Sequence, residues 1–276
     1  MLEGIIQNVR ERIPLIHCIT NYVTVNDVAN ILLACGGSPI MADDQQEVEE
    51  ITSICAGLDI NIGTLNSRTI SSMLLAGKQA NRLGHITVLD PVGAGASQLR
   101  TNTAKSLLEE VKFTVIRGNS SEIKTIAAGK GNTQGVDANE LDAITEQNLP
   151  QAVEFATKLS ESTGSTIAIT GAIDLVCDTT QAYVIRNGHP VMSKITGTGC
   201  MLTGMIAAYC AANSDRVTEA TVAAIAAMGL CGELAYQKIC ETNGGTSSFR
   251  TYLIDAMSKM EDDILKGGAK IEVYTR

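Results

Sequence analysis

The sequence predicts one three-layer α/β domain over residues 1–276, with a mostly parallel central sheet that carries helices on both faces. Short β-branched runs alternate with helical stretches through the first 170 residues, a pattern typical of parallel sheets covered on both sides. Hydrophobic residues make up 45% of the chain and aromatic residues only 3%, so a large core is built from aliphatic side chains and Met. No linker, repeat or low-complexity segment divides the chain, and we therefore expect a single domain.

The elements follow one another at short intervals, and each rests on a local pattern. After residue 170 two short apolar runs flank Asp178–Gln181, which predicts a hairpin at the sheet edge. From residue 200 the chain is predicted to be helical almost to its end, with one break at 242–248. The predicted strands are 15–19, 60–63, 86–89, 114–117, 166–170, 174–177 and 182–186, and the predicted earlier helices are 24–35, 44–56, 67–83, 101–110, 120–128, 139–146 and 150–163.

Charge and composition exclude several classes of function. A net charge of −9 without a basic stripe argues against nucleic-acid binding. The amino terminus has no basic segment followed by an apolar one, and the apolar helices near 200–212 and 219–235 are expected to fall short of a membrane span. The eight cysteines form no C-x-x-C pair and no zinc-like cluster. We expect a cytoplasmic protein without disulfides and without membrane partners.

A glycine-rich junction at residues 194–212 is the first candidate site. Gly197 and Gly199 lead directly into an apolar run of helical length, so backbone N–H groups and the positive end of the helix can converge on an anion. Cys200 lies on the first turn and points to the same place. An ordinary glycine loop with a structural cysteine is the alternative interpretation of these residues.

Polar residues at the carboxyl ends of the predicted strands are the second candidate, because ligands of open α/β sheets collect at that edge. They are Gly63 and Thr64, Asp90, Arg117 with Asn119 and Glu122, and Thr170 with Gly171. Two carboxylates, Asp90 and Glu122, suit Mg²⁺, and Arg117 suits a phosphate oxygen. A single carboxylate after a strand is more often only a helix cap, and it is the combination of several strand ends that favours a site.

Six motifs in this order resemble the ribokinase-like small-molecule kinases and, among them, the thiazole kinase family, over nearly the whole chain. They are His17-Cys18-Ile19-Thr20-Asn21-Tyr22-Val23, Gly36-Gly37-Ser38-Pro39-Ile40-Met41, Asn61-Ile62-Gly63-Thr64-Leu65, Asp90-Pro91-Val92-Gly93-Ala94-Gly95, Arg117-Gly118-Asn119-Ser120-Ser121-Glu122 and Gly197-Thr198-Gly199-Cys200.

The resemblance implies roles for particular residues. Arg117, Asn119, Thr170 and Gly171 would bind ATP, and Asp90 and Glu122 would hold Mg²⁺, mostly through water. The thiazole would lie against Asn21, Val23, Met41, Gly63, Thr64 and Gly197. Gly197, Gly199 and Cys200 would form the catalytic loop. The family also implies a ribokinase-like fold without the separate lid of the sugar kinases, and a homotrimer whose subunits close one another's pockets.

The implied reaction moves the γ-phosphoryl group of ATP to the hydroxyl of 4-methyl-5-(2-hydroxyethyl)thiazole, for thiamine biosynthesis or salvage. Most ribokinase-like enzymes place Asp where this chain has Cys200, as the thiazole kinases do. A hydroxymethylpyrimidine or pyridoxal kinase is the nearest alternative and would be expected to carry that Asp. An NAD-dependent oxidoreductase rests only on Gly93-Ala94-Gly95, which lacks a third glycine. A binding protein that has lost catalysis is the third alternative.

Outside this set, we assign His85 and His189 to surface positions and leave His17 open between a structural and a functional role. Asp43 and Asp44 are predicted to cap the helix that runs through Glu50.

Overall fold

The strands form one nine-stranded sheet in a computed structural model that describes residues 2–128 and 143–274. The strand order is β2-β1-β3-β4-β5-β6-β7-β8-β9; neighbours from β2 to β6 are parallel, and β6 to β9 are antiparallel. The strands are β1 (Leu15–Ile19), β2 (Ser38–Met41), β3 (Gly57–Asn61), β4 (Ile86–Asp90), β5 (Val115–Gly118), β6 (Thr166–Ile169), β7 (Asp174–Cys177), β8 (Ala182–Ile185) and β9 (Ile271–Tyr274).

Helices cover both faces of this sheet, which confirms the predicted three-layer α/β fold. One core cluster lies between the sheet and the helices α1, α2 and α8 to α11, and a second lies between the other face and α3 to α7. The helices are α1 (Ile5–Arg12), α2 (Val25–Cys35), α3 (Val48–Ile54), α4 (Ser67–Leu83), α5 (Gln98–Glu110), α6 (Ser120–Ala128), α7 (Leu149–Thr163), α8 (Thr198–Ala212), α9 (Val217–Thr242), α10 (Thr246–Ser258) and α11 (Asp262–Gly268).

Helices α8 and α9 form the centre of the first cluster. Every residue of α8 from Met201 to Cys210 is buried, so this helix packs on all sides and not along one stripe. Among the described helices, α9 alone is long and apolar enough by composition to cross a membrane, contrary to the expectation that 219–235 falls short. Most of the apolar stretch of α9 is buried within the fold, so α9 is a helix of the hydrophobic core.

Elements held by distant partners differ from the sequence predictions. The elements predicted from the sequence do not include helix α1. Two amides of its first turn, Ile6 N–H and Gln7 N–H, donate to the Asp262 carboxylate far along the chain. The predicted elements also omit β9, which pairs with β8 in a region predicted as helical. Edge strand β2 contains Pro39, which only an edge position tolerates well, and it too was not predicted.

Boundaries account for the remaining differences. Strand β3 begins at Gly57, before the predicted residue 60, and α3 begins at Val48, after the predicted 44. The α3 N-cap is Glu47, whose side chain makes no capping bond, but the turn that leads into α3 begins at Asp44. Asp44 Oδ1 accepts from Gln46 N–H at 3.0 Å and Asp44 O accepts from Val48 N–H, so Asp44 caps this turn, whereas Asp43 pairs with Arg68. Of the predicted helix 139–146, residues 139–142 lie outside the described residues and 143–146 are not helical.

Candidate active site

A continuous path of hydrogen bonds and one ion pair joins the carboxyl ends of five strands beneath the amino terminus of α8. Asn21 Nδ2 donates to Cys200 Sγ at 3.2 Å and to Asn61 Oδ1 at 3.0 Å. Asn61 Nδ2 donates to Asp90 Oδ2 at 2.9 Å. Asp90 Oδ2 lies 3.5 Å from Arg117 Nη1, and Arg117 Nη2 continues the path to Thr170 Oγ1 at 2.6 Å. The structure therefore brings these strand-end residues together, although they lie up to 179 positions apart in the sequence.

The glycine loop fits closely over this path. Gly197 is the N-cap of α8 with φ +89°, and a Cβ there would lie 2.9 Å from the Thr24 methyl group. A Cβ on Gly199 would lie 2.5 Å from Arg117 Nη1. Gly197 therefore needs glycine for its backbone angle and for close approach, whereas a Cβ at Gly199 would displace the end of the Arg117 side chain.

The first turn of α8 offers backbone donors beside the Arg117 guanidinium. The first intrahelical bond of α8 runs from Met201 N–H to Gly197 O, so the amides of residues 198–200 precede the helical hydrogen-bond ladder. Together with the helix dipole and the positive charge of Arg117, they form an arrangement suited to an anion.

Cys200 is partly exposed and carries a protonated thiol. Burial raises its pKa, the nearby Asp90 carboxylate raises it further, and hydrogen bonds from Thr24, Asn21 and Asn61 lower it by less. A helix amino terminus generally lowers the pKa of a thiol on its first turn, but at Cys200 desolvation and the Asp90 charge act in the opposite direction and the pKa is raised.

Asp90 is fully buried and has two unlike oxygens. Oδ2 accepts from Asn61 and from Thr203 Oγ1 at 2.9 Å, whereas Oδ1 has no hydrogen-bond partner. Burial raises the Asp90 pKa to about 6; the Arg117 charge lowers it, and Glu122 raises it. Asp90 Oδ1 is thus a buried acceptor without a hydrogen-bond partner, and it is available to a cation or to the water shell of a cation.

Glu122 takes part in the cap of helix α6, which is the alternative role predicted for this carboxylate. Its Oε2 accepts from Asn119 N–H at 2.9 Å, and Asn119 Oδ1 accepts from Glu122 N–H at 2.9 Å, a reciprocal cap at the start of α6. Its Oε1 accepts from Gly93 N–H at 2.8 Å, which ties α6 to the loop after β4. The carboxylate is thus held rigidly, with lone pairs to spare for a metal-bound water.

The β6–β7 turn holds Thr170 and Gly171, two of the four residues predicted to bind ATP. Thr170 N–H donates to Gly118 O, and Gly171 N–H donates to Asp174 Oδ1 at 2.8 Å. Burial raises the pKa of Asp174 to about 7, although the Gly171 amide and the Arg117 charge lower it. Asp174 was not among the predicted site residues; its place at the start of the predicted hairpin, three residues after Gly171, was the available signal.

The residues predicted to line the thiazole pocket divide into two groups. Asn21 is buried in the network, and Gly63 packs against Asn21 and Asn61 while Thr64 Oγ1 accepts from Tyr22 N–H at 3.2 Å. These positions are brought together as predicted.

Met41 and Val23 form the second group. Met41 ends β2 and is partly buried against the core, in register with Cys18 on β1. Val23 is 59% exposed, and the adjacent Tyr22 is 79% exposed. The structure of one chain therefore leaves Val23 on the surface beside the site and not inside an enclosed pocket.

Sequence reasoning passed over several other residues of the site. Asn61 bridges Asn21 and Asp90, and Thr203 reaches Asp90 from the helix turn after Cys200. The spacing of Cys200 and Thr203, three residues apart on one helix face, could have identified Thr203. His17 has a structural role: its ring nitrogens meet Ala42 O and Thr52 Oγ1 in the core, and burial lowers its pKa.

This architecture is that of the ribokinase-like small-molecule kinases. A ribokinase-like superfamily protein from Enterococcus faecalis V583 superposes with a TM-score of 0.61 over 92% of this chain and 88% of that one; at 12% identity the likeness shows the fold alone. A pyridoxal kinase from Staphylococcus aureus gives a TM-score of 0.60 at 16% identity, over 94% and 97% of the two chains, and likewise shows only the fold.

Sequence comparison identifies one family among the proteins that share this fold. The profile of the Hydroxyethylthiazole kinase family matches residues 6–263. A hydroxyethylthiazole kinase from Clostridium acetobutylicum is 60% identical over 274 residues, which are 99% of this chain and all of the relative. A solved hydroxyethylthiazole kinase from Pyrococcus horikoshii OT3 has 32% identity and a TM-score of 0.87 over 99% of each chain. The chain belongs to the hydroxyethylthiazole kinase family.

Proposed function

We propose that this protein transfers the γ-phosphoryl group of ATP to the hydroxyl of 4-methyl-5-(2-hydroxyethyl)thiazole, in thiamine biosynthesis or salvage. The observation that carries the proposal is the path from Cys200 through Asn21, Asn61 and Asp90 to Arg117. It links the side assigned to the thiazole with the side assigned to ATP across one sheet edge. Family membership selects the thiazole alcohol over the pyrimidine and pyridoxal alternatives.

Positioning of the two substrates does most of the catalytic work in this proposal. Phosphoryl transfer passes through a loose transition state, so fixed positive groups matter more than a strong base. The amides of residues 198–200 and the Arg117 guanidinium bind the transferring phosphoryl group from two sides. Thr170, Gly171 and Asn119 hold the nucleotide, and Arg117 is oriented by its hydrogen bond to Thr170.

Mg²⁺ fits the carboxylates at this edge of the sheet. Asp90 Oδ1 is a buried acceptor without a hydrogen-bond partner, and Glu122, in the first turn of α6, accepts from Gly93 N–H of the loop that follows Asp90. Within residues 2–128 and 143–274 no three His, Cys, Asp or Glu side chains are grouped to hold a metal ion. Asp90 and Glu122 would therefore hold the ion mostly through water, as Mg²⁺ prefers. When bound, Mg²⁺ supplies charge neutralisation for the triphosphate.

Cys200 lies beside the attacking hydroxyl in this arrangement, and its thiolate form accepts the hydroxyl proton as the new O–P bond forms and the bond to ADP breaks. Its raised pKa makes the thiolate scarce at neutral pH, so the thiol does not abstract the proton in advance. Asn21 Nδ2 donates to Sγ and fixes the sulfur's position. Asn21, Met41, Gly63, Thr64 and Gly197 orient the ring on the other side of the hydroxyl.

A homotrimer in the cytoplasm completes the proposal. Tyr22 and Val23 are large apolar side chains that are mostly exposed although they adjoin buried Asn21. A neighbouring subunit placed there would exclude water from the thiazole pocket and bring Val23 into it. Light scattering should give a mass near three chains, and a fully active monomer would refute this assembly.

A coupled ADP-release assay over a panel of alcohols tests the reaction. We expect turnover with the hydroxyethylthiazole, and far less with hydroxymethylpyrimidine or pyridoxal. ATP binding without turnover of any of the three would overturn the enzymatic proposal. Preferred turnover of pyridoxal or of the pyrimidine would replace the thiazole as the substrate.

A further inference from the structure

Arg100 bridges two loops of the site, although neither the sequence motifs nor the proposed mechanism gives it a role. It lies in the first turn of α5, where Ser97 Oγ accepts from its backbone N–H at 3.2 Å. Its guanidinium reaches back toward the sheet: Nη2 donates to Gly63 O at 2.7 Å, and Nη1 donates to Val92 O at 3.3 Å. One side chain thus binds the loop after β3 and the loop after β4.

The two loops belong to opposite halves of the site. Gly63 N–H donates to Asn61 Oδ1 at 2.9 Å, so the first loop connects with the Asn21–Cys200 side. Gly93, next to Val92, donates its N–H to Glu122 Oε1 at 2.8 Å, so the second loop orients Glu122. A change in the separation of the loops would therefore move both halves.

The contact around Arg100 is close-packed and geometrically specific. Gly93 has φ +72°, and a Cβ at that position would overlap Arg100 Nη1. The guanidinium is planar and presents donors in a fixed fork, which can serve two carbonyl groups at once. A lysine ammonium in the same place is a single point donor on a flexible stem, so it does not reproduce the bridge.

We propose that Arg100 is a positioning residue that sets the distance between the thiazole-lining segment at Gly63 and the loop that orients Glu122. The effect on Gly63 concerns the alcohol substrate. The effect on Glu122 rests on the metal role given under the proposed function. Arg100 acts through these backbone carbonyls and does not itself touch the reacting atoms.

Three variants separate positioning from general stability: Arg100→Gln, Arg100→Lys and the control Arg82→Gln. Arg82 is an exposed helix residue paired with Glu49 and is remote from the site. For Arg100→Gln we expect kcat/KM for the thiazole alcohol to fall about tenfold to a hundredfold, the effect of displacing reacting groups by about an ångström. We also expect a higher KM and a higher Mg²⁺ requirement. Arg100→Lys should lie between Gln and the unaltered protein, and Arg82→Gln should match the unaltered protein.

Chemical rescue provides the decisive measurement. Methylguanidinium added to Arg100→Ala should restore part of the lost kcat/KM, whereas methylammonium should not. Unchanged kcat/KM in Arg100→Gln, or a loss that follows the unfolded fraction and resists rescue, would overturn the proposal. Glu122→Gln run in parallel isolates the metal role: a normal Mg²⁺ requirement there refutes that role alone, because KM for the alcohol and rescue still test Arg100.

Discussion

Asp59 provides the sharpest test of the electrostatics in this fold. It lies in the middle of β3, is fully buried, and neither of its carboxyl oxygens has a hydrogen-bond partner. Burial raises its pKa well above the usual range; the Asp90 carboxylate raises it further, and Arg117 lowers it by less. Asp59 therefore holds its proton to a higher pH in the folded protein than in the unfolded chain.

The sign and size of the effect on stability follow from this difference. A carboxyl whose pKa is raised by folding costs nothing below its unfolded value near 3.9, and costs more as pH rises toward the folded pKa. Each pH unit in that interval costs about 1.36 kcal/mol. Asp59→Asn keeps the shape and removes the ionisation. We expect its free energy of unfolding, relative to that of the unaltered protein, to rise by about 1.36 kcal/mol for each pH unit above 4 until the pH reaches the folded pKa.

Thermal unfolding of Asp59→Asn from pH 4.5 to 8.5 measures this directly. In a protein of this size 1 kcal/mol shifts Tm by about 2–4 °C, so the difference in Tm should widen by roughly 3–5 °C for each pH unit in that interval. The control Asp215→Asn alters an exposed carboxylate and should leave the pH dependence unchanged. A Tm difference between Asp59→Asn and the unaltered protein that does not change with pH would show that folding does not raise the Asp59 pKa, contrary to this reasoning.

Further predictions concern the catalytic loop and the metal. Cys200→Ala should lower kcat about 10²-fold at saturating substrates and Cys200→Asp should be tolerated, because a positioned proton acceptor contributes about that factor; equal rates for Ala and the unaltered protein would leave the thiol with a packing role only. Glu122→Gln should lose most turnover at limiting Mg²⁺ while thiazole binding survives, and near-normal turnover there would contradict the metal role. Gly199→Ala should raise the KM for ATP because its Cβ would press on Arg117, whereas Gly245→Ala, which faces open space, should not; a normal KM in Gly199→Ala would show that Arg117 can move without loss.

The fold was predictable where each element depends on its own residues. Strand β4 and helix α4 have clear local patterns, and both were predicted within a residue of their observed bounds. Helix α1 and strand β9 were not, because their stabilising partners, Asp262 and β8, are remote in sequence. A local pattern cannot reveal a cap supplied by another part of the chain.

The site was predictable to a similar extent and for a similar reason. Asp90, Arg117 and Thr170 were found because parallel strands bring their carboxyl ends together, which is a general rule of such sheets. Asn61 was quoted within a motif, yet its bridging role depends on hydrogen bonds that only three-dimensional structure defines. The raised pKa of Cys200 could not be predicted, because it depends on the burial of the thiol and on the position of Asp90. Neither follows from the sequence alone.

The late position of α8 and α9 in the chain has a consequence for biosynthesis. The six parallel strands are complete at Ile169, but the helices that cover most of one sheet face begin only at Thr198. During translation that face has only α1 and α2 to cover it, and α1 still lacks the Asp262 carboxylate, which lies 256 residues after Ile6. Partly made chains with exposed apolar surface are prone to aggregate. A stalled ribosome should therefore present an aggregation-prone, chaperone-binding intermediate, and release of the last hundred residues should convert it into the folded enzyme.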